Sequence, residues 1–411
     1  VTAAAARRRA GGPEDAVAGV VPAEVVEPAT LDEAAEIVAA CARDRRRLAF
    51  VGGGTELGLG APPEGLEVVL RTGSCRRVVE HAPLDQIVTV ECGARLADLQ
   101  AALALHRQML ALDPPWAERA TIGGMVATGA FGPRRARYGA VRDLIIGVSF
   151  VRADGARARG GGKVVKNVAG FDLPKLMAGS LGTLGLIATV TFRLHPLPEA
   201  SATVLFAGAG AAAAQRVMAA ARAAQLEPDA AAVLLGAGAE LGVRFAGFAP
   251  AVEAQCRRLL AVGAELGGPA ELLDQAGAAA FWMRHEAARA APAELRAKVA
   301  VLPAEPSFEQ IWLGLARSLR DPRAVLYPTL GLAFVAGGVE QASAAASAVS
   351  EARALAVRGG GSLVLHEAPA SVRALVDVWG PPPAALPLMR SVKQRLDPDR
   401  ILAPGRFVGG I

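Results

Sequence analysis

The stretch Leu48-Ala49-Phe50-Val51-Gly52-Gly53-Gly54-Thr55 carries an apolar run of strand length straight into three consecutive glycines. The run reads as a buried strand, and the glycines as the turn that ends it. Consecutive glycines let the backbone enter φ > 0 and turn N–H groups inward, which makes a nest for a pyrophosphate. An ordinary turn remains the alternative for this loop taken alone. It is not a Walker A loop, because no Gly-Lys-Ser/Thr follows. It also lacks the G-x-G-x-x-G spacing of a Rossmann turn.

Working outward, Glu24–Pro28 reads as a short strand, and Thr30-Leu31-Asp32-Glu33 as a capping box that opens a helix. That helix has the stripe Leu31, Ala34, Ala35, Val38, Cys41 and Ala42. Strands are expected at Val68–Leu70, Arg77–Glu80 and Ile87–Glu91, then a helix over Leu96–His106 and a break at Asp113-Pro114-Pro115. Leu144–Arg152 with the turn Ala153-Asp154-Gly155 predicts a hairpin, and Leu184–Leu194 a further strand closed by His195-Pro196-Leu197-Pro198. Beyond that boundary the strand–helix rhythm recurs: Ala202–Phe206 with Ala211–Leu226, Leu241–Phe245 with Val252–Leu266, and Ala333–Ala336 with Gln341–Arg358 and Ser362–His366. A last helix is expected over Leu386–Leu396, followed by Asp397-Pro398-Asp399 and Ala403-Pro404-Gly405-Arg406, a turn that brings the chain back to the first domain. Gly359-Gly360-Gly361 reads as a helix terminator.

Two further glycine-rich elements join the first. In Ala120-Thr121-Ile122-Gly123-Gly124-Met125-Val126-Ala127-Thr128-Gly129, Thr121 can cap a short helix, and Gly123 and Gly124 let that helix approach a ligand. Tight helix–strand packing is the alternative. The third cluster is Lys163-Val164-Val165-Lys166-Asn167-Val168-Ala169-Gly170-Phe171-Asp172, followed by Gly179-Ser180-Leu181-Gly182-Thr183-Leu184-Gly185. The only lysines are Lys163, Lys166, Lys175, Lys298 and Lys393, so two within four residues are informative.

Composition bounds the function. The 411 residues are 52% hydrophobic and 20% charged, which excludes a disordered chain and predicts two or three domains. Aromatics at 4% leave little for base-stacking platforms, and a net charge of +5 is weak support for nucleic-acid binding. Cys41, Cys75, Cys92 and Cys256 include no C-x-x-C pair, which argues against an iron–sulfur cluster or structural zinc in this chain and fits a reducing compartment. No window supplies the ~20 apolar residues of a membrane span. The expectation is a cytoplasmic protein that meets a membrane only through a partner.

Gly52–Thr55, Ala120–Gly129, Arg137–Asp143, Lys166–Asp172 and Gly179–Leu186 stand in the order of the vanillyl-alcohol oxidase/PCMH-type flavoproteins, which this chain resembles. Within them it is similar to the FAD-binding subunits of bacterial glycolate oxidases, through Gly132-Pro133-Arg134-Arg135, Gly162–Asn167 and Gly179–Gly182. The likeness covers Glu24 to Pro198 and resumes at Lys393–Phe407. The resemblance implies an α+β fold, with a two-lobed PCMH-type FAD-binding domain and a smaller α/β cap. It suggests a flexible tail over 1–23, the FAD domain over 24–198, the cap over 199–385, and a returning segment over 386–411. It implies FAD extended between the lobes, with its pyrophosphate on Val51, Gly52, Gly53, Gly54 and Thr55. Pro115, Thr121, Ile122, Gly123, Gly124, Ala127 and Gly129 would follow along the cofactor with Tyr138, Gly139, Lys166 and Asn167. Gly185 and Ile187 would lie near its far end. Several covalent members attach FAD through a His directly after the glycine run. Thr55 stands there, so the FAD is expected to be non-covalent.

Hydroxy-acid dehydrogenases of this type place a base and metal-binding histidines in the cap, in a His-Gly-Asp-Gly-Asn-x-His-like stretch. Here His81, His106, His195, His285 and His366 stand apart, and the His–carboxylate neighbours His285-Glu286 and His366-Glu367 read as ordinary surface or satisfied pairs. No metal site and no catalytic residue is assigned. The resemblance thus implies an FAD subunit of a glycolate oxidase complex converting glycolate to glyoxylate, with a catalytic flavin subunit and an iron–sulfur subunit as partners. A stand-alone FAD-dependent 2-hydroxy-acid or alcohol dehydrogenase, and a non-catalytic flavin-binding assembly subunit, remain the alternatives.

Overall fold

A computed structural model describes residues 6–163, 170–302 and 307–411. The chain divides into two compact bodies. Val1–Gly132, Gly139–Pro196 and Pro381–Ile411 make the first, and Pro133–Tyr138 with Leu197–Gly380 make the second.

The first body contains two main sheets. Strands β1 (Arg7–Ala10), β2 (Glu24–Glu27), β3 (Leu48–Val51) and β4 (Val68–Arg71) form one, in the order β1-β2-β4-β3. The β2–β4 and β4–β3 pairs are parallel. The helix Leu31–Arg43 links β2 to β3, as a parallel crossover requires. Thr30 caps it by accepting from the Glu33 N–H at 3.2 Å. Its buried residues are Ala34, Ile37, Val38 and Cys41; Ile37 adds to the expected stripe, while Leu31, Ala35 and Ala42 are half-buried against the cores. Strands β5 (Val78–Ala82), β6 (Ile87–Glu91), β8 (Ile145–Val151), β9 (Arg157–Gly161) and β10 (Leu186–Arg193) form the second sheet. Its order is β5-β6-β10-β8-β9, all antiparallel. Strands β7 (Gln108–Met109) and β11 (His195–Pro196) pair separately.

Within the segment expected as a tail, Arg7–Ala10 is a strand. Arg7–Ala10 pairs antiparallel with Glu24–Glu27, the three arginines facing solvent while the backbone is satisfied by β2. A buried carboxylate fixes the connection: Asp15 accepts from Arg9 at 2.6 and 2.7 Å and from Arg71 at 2.7 Å. The bond from Arg9 holds its carboxyl well below the usual range.

The returning segment is also part of this body. Residues 401–403 add a parallel bridge to the free edge of β3, with Leu48 N–H donating to Ile401 O and Ala403 N–H to Leu48 O, both at 2.8 Å. Ile401 and Leu402 share a core with Leu48, Val68, Leu70 and Leu186. In the helix Leu386–Leu396, Lys393 is buried, and its ammonium donates to Asp397 (2.6 Å), Thr183 O (2.8 Å) and Leu402 O (2.9 Å). Asp397 also accepts from the N–H groups of Ile401 and Leu402, so every charge in this buried set is satisfied.

The second body is built on a sheet of eight antiparallel strands, larger than the strand–helix rhythm suggests. These are β12 (Ala200–Ala207), β13 (Ala230–Leu235), β14 (Ala239–Gly247), β15 (Ala270–Leu272), β16 (Leu295–Ala300), β17 (Leu319–Tyr327), β18 (Leu332–Val339) and β19 (Ser362–Glu367). Their order is β15-β12-β14-β13-β17-β18-β16-β19. The helix Ala249–Gly267 packs on Phe206 and Val217 through Gly263 and Gly267. The helix Gln275–Ala290 presses Phe281 against Gly242 of β14, where a Cβ has no room.

Candidate functional site

The apolar strand β3 delivers residues 52–55 to the mouth of a cleft in the first body, of about 660 Å³ counting the open space at its entrance. Val51, Gly52, Gly53, Gly54 and Thr55 line it, with Gly123, Gly124 and Ala127 of the helix Ile122–Thr128, and with Gly185 and Ile187 where β10 begins. Three regions picked out in the sequence are therefore brought together.

The glycines are explained by what surrounds them. A Cβ on Gly53 would overlap the Arg119 carbonyl, and one on Gly52 would overlap the Thr121 hydroxyl. Gly54 adopts φ +69°, the left-handed region that favours glycine. Thr121 stands at the N-cap position of its helix but makes no capping bond. Its Oγ1 instead accepts from the Gly53 N–H at 3.2 Å, tying the glycine loop to the helix. That corrects the capping role expected for Thr121, and it commits one amide of the expected nest to the protein. Gly123 is a packing glycine, since its Cβ would lie 2.7 Å from that of Cys92. Gly124 has only the Thr121 hydroxyl nearby, at 3.1 Å.

Other expected residues fall elsewhere. Thr121, Ile122 and Gly129 belong to the same helix and its C-cap but do not line the cleft; Ile122 is fully buried in the core. Pro115 and Gly139 lie in the first body away from the lining, and Tyr138 belongs to the second body. Lys166 and Asn167 lie outside the described residues.

Residues given no cofactor role from the sequence complete the walls. Phe50, Leu57, Leu181 and Leu186 give the cleft apolar surface suited to ring systems. Thr72 and Cys92 contribute at its floor; nothing in the sequence marks them. Burial pushes the Cys92 thiol up to about 12, so it is an inert wall group rather than a nucleophile. Arg406, read from sequence as part of a turn within the resembling segment Lys393–Phe407 but given no site role, also lines the cleft.

A long cleft with a glycine loop, apolar walls and a cation suits an extended ligand with an anionic centre and flat rings. The part of the chain that carries the cleft is similar to FAD-binding domains, and its fold is similar to that of PCMH-type flavoproteins. Residues 22–161 match the family model described as FAD binding domain. In the solved structures, alkyldihydroxyacetonephosphate synthase shares the fold with a TM-score of 0.73 at 17% identity, covering 94% of this chain and 78% of that one. The glycolate oxidase subunit GlcE of Escherichia coli (strain K12) is 40% identical over 160 residues, 38% of this chain and 45% of that protein. Glycolate oxidase subunit GlcD of Bacillus subtilis (strain 168) is 34% identical over 185 residues, 45% of this chain and 39% of that protein. The D-lactate dehydrogenase of Archaeoglobus fulgidus is 38% identical over 173 residues, 42% of this chain and 38% of that protein. The chain thus spans less than half the length of the curated relatives it matches.

In the second body, His285 is buried with Nε2 3.1 Å from the Tyr327 hydroxyl and Nδ1 3.2 Å from Glu286. Burial pushes its imidazole down to about 4, so it is neutral at physiological pH. His366 of β19 is buried edge-on to Phe334, with ring centroids 5.6 Å apart. Among the described residues, no group of three or more His, Cys, Asp or Glu side chains is arranged to hold a metal ion. No helix among them is long and apolar enough to cross a membrane.

Proposed function

We propose that this chain is the FAD-binding subunit of a glycolate oxidase complex, acting with a catalytic flavin subunit and an iron–sulfur subunit to oxidise glycolate to glyoxylate. The observation that carries the reading is the glycine-lined cleft, most of whose lining falls within residues 22–161, the stretch that matches the FAD binding domain model. Bound FAD would supply the two-electron acceptor for the hydrogen on the α-carbon. Gly52–Thr55 and Gly123–Gly124 would hold the cofactor, while Phe50, Leu57 and Leu186 would exclude water from it. Removing the α-hydrogen as hydride also needs a base near the hydroxyl and a positive group for the carboxylate. His285 is a poor base, being locked between Tyr327 and Glu286 with its basicity lowered by burial. Arginines could hold a carboxylate but stay protonated. These features support a division of labour in which the base comes from a partner. Any contact of the complex with a membrane would then come through that partner as well.

The similarity to a D-lactate dehydrogenase favours a second reading, a stand-alone FAD-dependent hydroxy-acid dehydrogenase. Dye-linked glycolate oxidation, measured with and without a GlcD-type partner, separates the two. The subunit reading expects turnover only with the partner. Strong partner-free turnover that disappears in His366→Ala would overturn it.

A further inference from the structure

Among the described residues lining the cleft, the charged side chains are Glu56 and Arg406. Arg406 is 4% exposed, and its Nε donates to Leu59 O at 3.3 Å. Its backbone is fixed as firmly: the Ala61 N–H donates to Arg406 O at 2.9 Å, and the Glu64 N–H to Pro404 O at 2.8 Å. Further back, the bridge to β3 and the Lys393–Asp397 set hold the same segment. The guanidinium is thus preorganised at the cleft, and little side-chain entropy is lost when a ligand arrives.

We propose that Arg406 is the charge partner of the cofactor's diphosphate in the cleft that the glycine loop also lines; this rests on the cleft being the FAD site. A diphosphate brings about two negative charges, and backbone amides supply only partial positive charge. Gly53's amide is already committed to Thr121, which raises the need for a full cation. A guanidinium matches phosphate oxygens in a fork and is more weakly hydrated than an ammonium, so it tolerates a dry site. Burial pushes Arg406 down to about 10, and a bound anion acts in the opposite sense. Cofactor and cation therefore stabilise each other's burial.

The test is titration of deflavinated protein with FAD, ADP and riboflavin, in the wild type and in Arg406→Met and Arg406→Gln. Charge-assisted hydrogen bonds are worth ~1.5–3 kcal/mol, or about 10- to 100-fold in Kd. FAD and ADP should weaken by that factor in both variants, with riboflavin, which has no phosphate, changed less than about threefold. Glutamine keeps a donor for Leu59 O, so it carries the test if the methionine variant does not fold. Unchanged FAD and ADP binding, equal losses for FAD and riboflavin, or failure of both variants to fold would each overturn the assignment and leave Arg406 structural. Wild-type protein that binds FAD no better than riboflavin would instead overturn the reading of the cleft as the diphosphate site.

Discussion

Gly53 and Gly124 line the same cleft for different reasons, and substitution should separate them. In Gly53→Val the new side chain meets the Arg119 carbonyl, so the loop must move and the Thr121 bond is lost. We expect lower FAD occupancy together with ~1–3 kcal/mol of lost stability. In Gly124→Val the neighbour is a hydroxyl at 3.1 Å, and most of the added bulk enters the cleft. Occupancy should fall while thermal stability of the flavin-free protein changes little. Flavin-to-protein absorbance ratios and melting curves read both. A second residue-scale prediction concerns His285, which faces Glu286 and Arg289 on its own helix, Arg244 of β14 and Tyr327 of β17. Its folded pKa of about 4 lies below the ordinary 6.5, so between those values the unfolded chain binds a proton that the folded chain does not. Stability from this group is full above pH 6.5, declines as pH falls toward 4, and levels off below; the total is ~3 kcal/mol. Urea melts at pH 7.5 and 4.5 should show that decline, reduced in His285→Gln.

Among the elements, the helix Leu386–Leu396 is anchored by a buried charge pair. Lys393→Met leaves Asp397 buried without its cation, an expected loss of ~3–5 kcal/mol. Adding Asp397→Asn should recover part of it, because the amide oxygen can still accept from the backbone without a charge to bury. A double-mutant cycle in urea measures the coupling, and a double variant no more stable than Lys393→Met would contradict this account. Why some elements were legible in sequence and others were not follows from their chemistry. Leu48–Val51 is an apolar run stopped by Gly52, and Ile87–Glu91 and Leu386–Leu396 are patterned segments with Gly93 and Pro398 two residues past their ends, so their limits match. Ala230–Leu235 has no alternation, and Leu319–Tyr327 contains Asp321-Pro322, which reads as a break. The strand survives it by a bulge between Arg320 and Arg323, with Asp321 at φ +46°. The glycine walls of the cleft were readable because glycine runs are rare and chemically specific. Thr72, Cys92 and Arg406 were not, since each reaches the cleft by tertiary packing; Arg406 meets Leu59 across 347 positions.

For the whole molecule, Thr55 lines the cleft directly after the glycine run, the position at which the resemblance implies an attachment histidine in several covalent members. A threonine hydroxyl offers no imidazole nitrogen to the flavin, so acid or heat denaturation should release the flavin into the supernatant. Yellow colour retained by the precipitate would contradict that. The order of the chain has its own effect. Residues 401–406 finish the edge of β3 and one wall of the cleft, yet they follow the whole second body in sequence. On the ribosome, the glycine loop is made early and waits, with an uncovered strand edge, while Leu197–Gly380 emerge. The cleft therefore stays incomplete until translation has passed Arg406, and a nascent chain that stalls earlier exposes the kind of edge that chaperones and proteases recognise.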